Sequence, residues 1–442
     1  MVDIRNRPAL ADSPAREAAL ACVEAGIDAA RPARVVADEV AVEGDALRVA
    51  DATYDLADFE RVVVSGGGNA AAHVARALAD ALGSRLDGGV VVTDDPVDVP
   101  GVEVLPSDHP VPSERGVEST RRLLDAARGY DADTLVLAVI TGGGSAVLPA
   151  PADDLSLSDL QATTEALLRS GAPIGDVNAV RKHCSALKGG QLARALVPAT
   201  VATLVFSDVV GNDLDVVASG PTVPDTSTYG DALAVLDDYD VEVPAAVRDR
   251  LERGARGDHP ETPGEGDPAF ENVETHVLAD GSTALDAARE AARERGYEPL
   301  FLSSCIEGEA REVGGVHAAV ATEAANAGDP VEPPAVVLSG GELTVTVTGD
   351  GEGGPNQECA LAAAHRLPDG SAFACVDTDG IDGASEHAGA LVDSETVADP
   401  ADARAALREN DAGGYLAGRD ALLRTGPTGT NVNDLRVLVV PE

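Results

Sequence analysis

Only two lysines occur in the 442 residues, Lys182 and Lys188, and both lie in the run NAVRKHCSALKGG from Asn178 to Gly190. Everywhere else arginine carries the positive charge. Lysine is a compact, strongly hydrated point charge whereas arginine is a planar fork, so a chain that otherwise dispenses with lysine points to a need for an ammonium here. The competing reading is a pair of cations placed to suit the dipole at a helix end. If Asp176 caps a helix that Gly189 and Gly190 end, then Val177, Val180, Cys184 and Leu187 form its core stripe, and Arg181, Ser185 and Lys188 share the neighbouring face. Two cations projecting together make a receptor for a carboxylate or phosphate. Lys182, about 100° to one side, is expected to face solvent.

Two glycine loops offer a second chemistry. Ser65-Gly66-Gly67-Gly68-Asn69 and Thr141-Gly142-Gly143-Gly144-Ser145 each follow an apolar run. Bare backbone N–H groups at a strand-to-helix turn suit a phosphate, and two such loops suit a nucleotide plus an acceptor. Gly66, Gly68 and Ala71 also fit the looser dinucleotide fingerprint G-x-G-x-x-A, with Asp94 and Asp95 after the next apolar run. A tight strand-to-helix turn without a ligand is the bland alternative. No G-x-x-x-x-G-K-[ST] occurs, which excludes a P-loop. Asp208, Asp213, Glu342, Asp377, Asp379 and Asp382 fall at expected strand ends, where one or two carboxylates could hold Mg²⁺ with substrate phosphates. His109 and His183 are expected to make structural hydrogen bonds.

The elements that must position these groups follow one rhythm: a β-branched run, a Gly- or Asp-rich loop, then an Ala-rich helical stretch. The runs starting at Arg61, Thr134, Thr203, Ala335 and Phe373 all show it. This alternation predicts an α/β fold with a Rossmann-like parallel sheet and flanking helices, all five loops opening on one crevice. Length predicts two domains. The larger is expected over 1–250 and a smaller mixed α/β domain over 271–442, joined by an acidic Gly/Pro linker at 251–270.

Composition limits the partners. Acidic residues number 76 against 32 basic ones, a net charge of -44, and aromatic content is 2% with no Trp. Such a surface repels nucleic acid and anionic membrane and offers no stacking platform for bases. It fits a saline cytoplasm, where the Debye length falls to about 3 Å. Cys22, Cys184, Cys305, Cys359 and Cys375 are scattered without CxxC spacing and read as buried thiols in a reducing, cytoplasmic setting.

The strings HPVPSERG, ITGGGSAVLPAP, VNAVRKHCSALKGGQLA, SDVVGNDLDVVASGPTVPD, LSGGELTVTV, GGPNQECALA, TDGIDG and TGPTGTNVNDL, in this order, resemble the glycerate 2-kinase family, which pairs a DUF4147 domain with a MOFRL domain. The resemblance runs from about Val62 to Val439. It implies ATP-dependent phosphorylation of D-glycerate to 2-phosphoglycerate with ATP and Mg²⁺, on a small-molecule substrate held in a cleft between the larger and the smaller domain; a homodimer is one candidate assembly, which the sequence does not fix. Carried over position by position, it covers Arg181, Lys188, Asp208, Glu342, Asn356, Gln357, Glu358 and Asp379. Joined to the reading of the residues themselves, this makes Asp208, Asp379, Asn69 and Lys188 the candidate catalytic groups. Arg181, Lys182, Ser145, Asn356 and Gln357 would bind substrate. Gly66, Gly67, Gly68, Gly142, Gly143, Gly144, Ser339, Gly340 and Gly341 would hold phosphate, and Asp208, Glu342 and Asp379 the metal. The chain departs from the pattern at Asn69, where the family carries lysine, and at Pro355, where it carries arginine. An NAD(P)-linked hydroxyacid dehydrogenase and a relative that binds without turnover remain the alternatives.

Overall fold

The structure is a computed structural model that describes residues 2–442. It divides into two compact units, one formed by Val35–Leu278 and the other by Met1–Arg34 together with Ala279–Glu442. The first is here called the central unit and the second the terminal unit. This departs from the expected boundaries at 250 and 271, because the N-terminal helix Pro14–Ala29 packs within the terminal unit.

The central unit opens with an antiparallel meander, β1 (Val40–Glu43), β2 (Ala46–Val49) and β3 (Ala52–Asp55). Its main sheet contains β4 (Arg61–Gly67), β5 (Gly88–Thr93), β6 (Val102–Pro106), β7 (Thr134–Thr141), β8 (Thr200–Phe206) and β9 (Val273–Ala279), in the order β6-β5-β4-β7-β8-β9. The pairings from β6 through β8 are parallel. Parallel strands are covered on both faces, which is why β7 reads TLVLAVIT without alternation and every one of its residues is buried. Strand order reverses between β4 and β7, and at such a switch point the carboxyl-end loops diverge to leave a crevice. Both triple-glycine loops leave the sheet there.

The stretch 251–270 is no free linker. Its start continues the helix Ala245–Ala255, with Leu251 buried in the core. Further on, Glu261 accepts from the Tyr229 N–H at 3.1 Å, and the Thr262 hydroxyl donates to Asp225 at 2.8 Å. Glycine, proline and acid here describe a packed surface strap, since loops also satisfy their polar groups locally.

The terminal unit holds β10 (Glu298–Ser303), β11 (Gly308–Glu309), β12 (Ala335–Gly341), β13 (Leu343–Thr344), β14 (Ala372–Asp377), β15 (Gly389–Asp393), β16 (Leu422–Leu423) and β17 (Asp434–Val440). Its six-stranded sheet runs β10-β12-β17-β14-β15-β16 and is mixed, since β17 is antiparallel to both neighbours. Alternation sorts the faces. Val336, Leu338, Val437 and Val439 meet Leu20, Val23 and Ile27 of the N-terminal helix and Leu285 of the helix Gly281–Glu294. Val337, Leu438 and Val440 meet Leu361 and Cys359 of the helix Pro355–Ala364 on the other side. The five expected strand-end loops are thus divided: three leave β4, β7 and β8, and two leave β12 and β14 in the second sheet. Cys22, Cys184, Cys359 and Cys375 are buried and Cys305 is exposed. Among the described residues no helix is long and apolar enough to cross a membrane.

Candidate active site

The helix that carries the first lysine spans Ile174–His183, with Val177 and Val180 buried as the periodicity required. It stops sooner than expected. The Ser185 hydroxyl accepts the N–H groups of Leu187 (3.1 Å) and Lys188 (3.2 Å), and Ala186 N–H donates to Ala150 O at 2.8 Å. A serine that offers the backbone another acceptor competes with the helix ladder, and here it wins. Arg181, Ser185 and Lys188 nevertheless converge, by a turn instead of a helical face. With His109, Gly143 and Ser145 they line one cavity of about 210 Å³.

The charges in this cavity are unusual for so acidic a chain. Lys188 is 5% exposed and its Nζ donates to Leu148 O at 3.3 Å. Arg181 is half-buried, and among the described residues no carboxylate pairs with either cation. Burial, aided by the neighbouring Arg181 charge, pulls the Lys188 ammonium down to about 7, and burial also lowers Arg181. Two mutually repelling, desolvated cations are tolerated where an anion completes them.

Lys182 corrects the expectation that it faces solvent. It is 1% exposed, and its Nζ pairs with Asp215 and, at 3.3 Å, with Asp225. The loop 213–225 folds over this side of the helix and supplies both acids, so its ammonium is spent within the protein. His183 makes the structural bonds expected, to Ala179 O at 2.7 Å and to Glu261 at 3.1 Å. His109 is exposed at the cavity wall.

The second glycine loop is a meeting point of three elements. A Cβ on Gly142 would lie 2.2 Å from Asp208 Oδ2, one on Gly143 1.9 Å from Asn69 Oδ1, and one on Gly144 2.5 Å from the Ala218 methyl. Each glycine therefore admits one approaching group. Asp208, just past β8, accepts the Gly143 N–H at 3.2 Å, and burial raises its carboxyl above the usual range. Asn69 Oδ1 is buried with no hydrogen-bond partner among the described residues. In the first loop, Gly66 and Gly68 instead make room for Val139 O and Thr141 of β7 and for Gly142 O. The N–H groups of Gly68, Asn69 and Ala70 donate to Val92 O, Gly142 O and the Thr141 hydroxyl.

Sequence reading missed the group behind Ser145. Ser145 Oγ lies 2.8 Å from Ser219 Oγ, which donates to Asn178 Oδ1 at 3.0 Å. Ser219 belongs to a run with positive φ: Ala218 at +50°, Ser219 at +62° and Gly220 at +61°. A non-glycine residue held there costs on the order of 1–3 kcal/mol, so the surroundings must impose it. Neither alanine nor serine signals such a backbone; only the following Gly-Pro hints at a turn.

The other expected residues lie in the terminal unit. Asp379 and Glu342 follow β14 and β12, and Asp379 Oδ1 accepts the Ile381 N–H at 2.7 Å. Ser339 is fully buried and bonds His317 Nε2 at 2.7 Å. A Cβ on Gly341 would meet Ile306 O at 2.3 Å, and one on Gly340 would lie 3.0 Å from Leu285. Asn356 and Gln357 are buried, their N–H groups donating to Asp382, and Asn356 Nδ2 donates to Asp434 at 2.6 Å. Pro355 occupies the first turn of its helix, where a missing N–H costs nothing. Burial pushes the Asp382 carboxyl up to about 7 and raises Asp377 and Asp434 as well.

Known proteins share this arrangement over nearly its full length. The domain described as DUF4147, a domain of unknown function, matches residues 18–252, and the MOFRL family matches 335–434. The glycerate 2-kinase of Pyrococcus horikoshii is 38% identical over 96% of this chain and 97% of its own. A relative from Agrobacterium vitis, provisionally named hydroxypyruvate reductase, is 43% identical over 86% of this chain and 87% of its own. The solved glycerate kinase of Thermotoga maritima superposes with a TM-score of 0.83 at 36% identity, covering 96% of this chain and 99% of that one. By domain content, sequence and fold, the chain belongs to the glycerate 2-kinase family.

Proposed function

We propose that this protein transfers a phosphoryl group from ATP to the 2-hydroxyl of D-glycerate, giving 2-phosphoglycerate. One observation carries the choice of acceptor: Arg181 and Lys188, without acidic partners among the described residues of a chain of net charge -44, line a single small cavity with Ser145. A carboxylate between the two cations would receive charge-assisted hydrogen bonds. Asp208, buried against Gly142 and accepting the Gly143 N–H beside the cavity, is assigned to supply the charged oxygen that the transfer needs. The cavity wall formed by Pro110, Pro112, Pro149 and Leu160 limits water around the acid.

The oxygens at the glycine loop fit a hard divalent cation. Asn69 Oδ1 lacks a partner among the described residues and abuts Gly143, the Asp208 carboxylate abuts Gly142, and Mg²⁺ commonly takes one or two protein oxygens beside substrate phosphates. Mg²⁺ bound there would neutralise charge developing on the transferred phosphoryl group. Among the described residues no group of three or more His, Cys, Asp or Glu side chains is arranged to hold a metal. The charge supports a saline cytoplasm as the setting.

A second reading, a dehydrogenase acting on hydroxypyruvate, draws on the name of the Agrobacterium vitis relative. The glycine geometry speaks against it, because β7 fills the space over Gly66 and Gly68 that a dinucleotide pyrophosphate would need. A coupled assay in molar KCl over a panel of hydroxy acids separates the readings. ADP formation dependent on both D-glycerate and Mg²⁺ is expected; NADH oxidation without ADP would establish the dehydrogenase, and binding without turnover a relative disabled at Asn69 and Pro355.

A further inference from the structure

The first lysine, Lys182, is the feature that the acid site leaves unexplained. Lys182 Nζ joins Asp215 and Asp225, which flank the positive-φ run Ala218-Ser219-Gly220 on either side. From below, the backbone N–H groups of Gly189 and Gly190 donate to Ser219 O (3.0 Å) and Gly220 O (2.7 Å). Gly189 itself has φ +56°, and a Cβ there would sit 2.9 Å from Asp225 Oδ2 and 3.1 Å from Lys182 Cβ. The turn is therefore held at both feet by one ammonium and along its middle by the Gly-Gly pair that follows Lys188. Its product is the placement of Ser219 Oγ between Asn178 and Ser145. A single compact ammonium with three donors can serve two carboxylates ten positions apart, which a planar guanidinium does less readily.

We infer that Lys182 is a positioning residue for the acid site, clamping the strained turn so that Ser219 fixes the Ser145 hydroxyl at the wall beside Arg181 and Lys188. The inference rests on the reading of that cavity as the acid site. The two lysines then divide the work, one facing the ligand and one setting the geometry of a ligand-facing hydroxyl.

A double-mutant cycle on the full-length protein tests this. Lys182→Met leaves Asp225 buried without its partner and risks unfolding, so the informative variant is Asp215→Asn, whose side chain is 34% exposed and which leaves the Lys182–Asp225 pair intact. Asp215→Asn is expected to raise KM for D-glycerate roughly 5–10-fold with kcat and KM for ATP little changed, the scale of one misplaced hydrogen bond. In a Ser145→Ala background the same substitution should change KM less than about 2-fold, because the group it positions is gone. Equal factors in both backgrounds would overturn the inference and leave Lys182 a purely structural residue. Absence of any D-glycerate-dependent ADP formation in the unsubstituted protein would instead strike the underlying functional reading.

Discussion

At the scale of single residues the site is governed by desolvated charge. Arg181→Ala and Lys188→Ala are each expected to weaken acid binding by about 1–3 kcal/mol, seen as a raised KM for D-glycerate. Lys188 adds a pH signature. Its ammonium is held down to about 7, so above that pH the free protein loses the charge that the acid needs. KM for D-glycerate should therefore climb as pH rises through 7 to 8, and acid binding should take up protons in that window, measurable by calorimetry in two buffers of different ionisation enthalpy. A KM flat from pH 6 to 9 in wild type, with the same profile in Lys188→Met, would remove Lys188 from binding. The scarcity of lysine made this segment legible before any coordinates, because composition isolates it. Lys182 was misplaced for an equally physical reason: the acids that bury it lie 33 and 43 residues away, and no local periodicity reports them.

Among elements, strands were easier to read than turns. The runs at β4, β7, β8, β12 and β14 announced themselves by composition, but which sheet each joins depends on long-range pairing that the alternation does not encode. The end of the Ile174–His183 helix depended on one serine hydroxyl, and the Ala218–Gly220 turn on residues without turn character. The glycines of the second loop were legible as glycines, but not the protein group that an added Cβ at each would meet, since those groups come from distant segments. Gly144→Ala puts a methyl 2.5 Å from that of Ala218 and should cost about 1–3 kcal/mol by overpacking. Adding Ala218→Gly removes the opposing methyl and supplies a residue suited to φ +50°. The double variant should recover most of the lost thermal stability, and additive losses in melting experiments would show that the two residues do not oppose one another.

For the whole molecule, charge and connectivity set the behaviour. A net charge of -44 repels itself in dilute buffer, so the melting temperature should rise with KCl and level off near molar concentration, where screening is complete within about 3 Å. A salt-independent melting curve would contradict this. Connectivity yields a second expectation. Leu20, Val23 and Ile27 are fully buried in the core that also holds Leu285, Val437 and Val439. A fragment of residues 279–442 should therefore fail to fold cooperatively, and should regain cooperative folding when residues 2–34 are linked back onto it; cooperative unfolding of the shorter fragment would refute this. The boundaries read from composition missed it, because a helix carries no mark of the distant sheet that will cover it.

That arrangement also imposes an order on synthesis. The apolar face of Pro14–Ala29 leaves the ribosome long before the strands that shelter it, β12 and β17. At a translation rate of roughly 5–20 residues per second, the roughly 300 residues to β12 and roughly 400 to β17 correspond to waits of about 15–60 s and about 20–80 s. Throughout that interval the nascent chain carries an orphan amphipathic helix tethered ahead of a complete parallel sheet, a natural client for a holding chaperone and a point of vulnerability whenever elongation stalls.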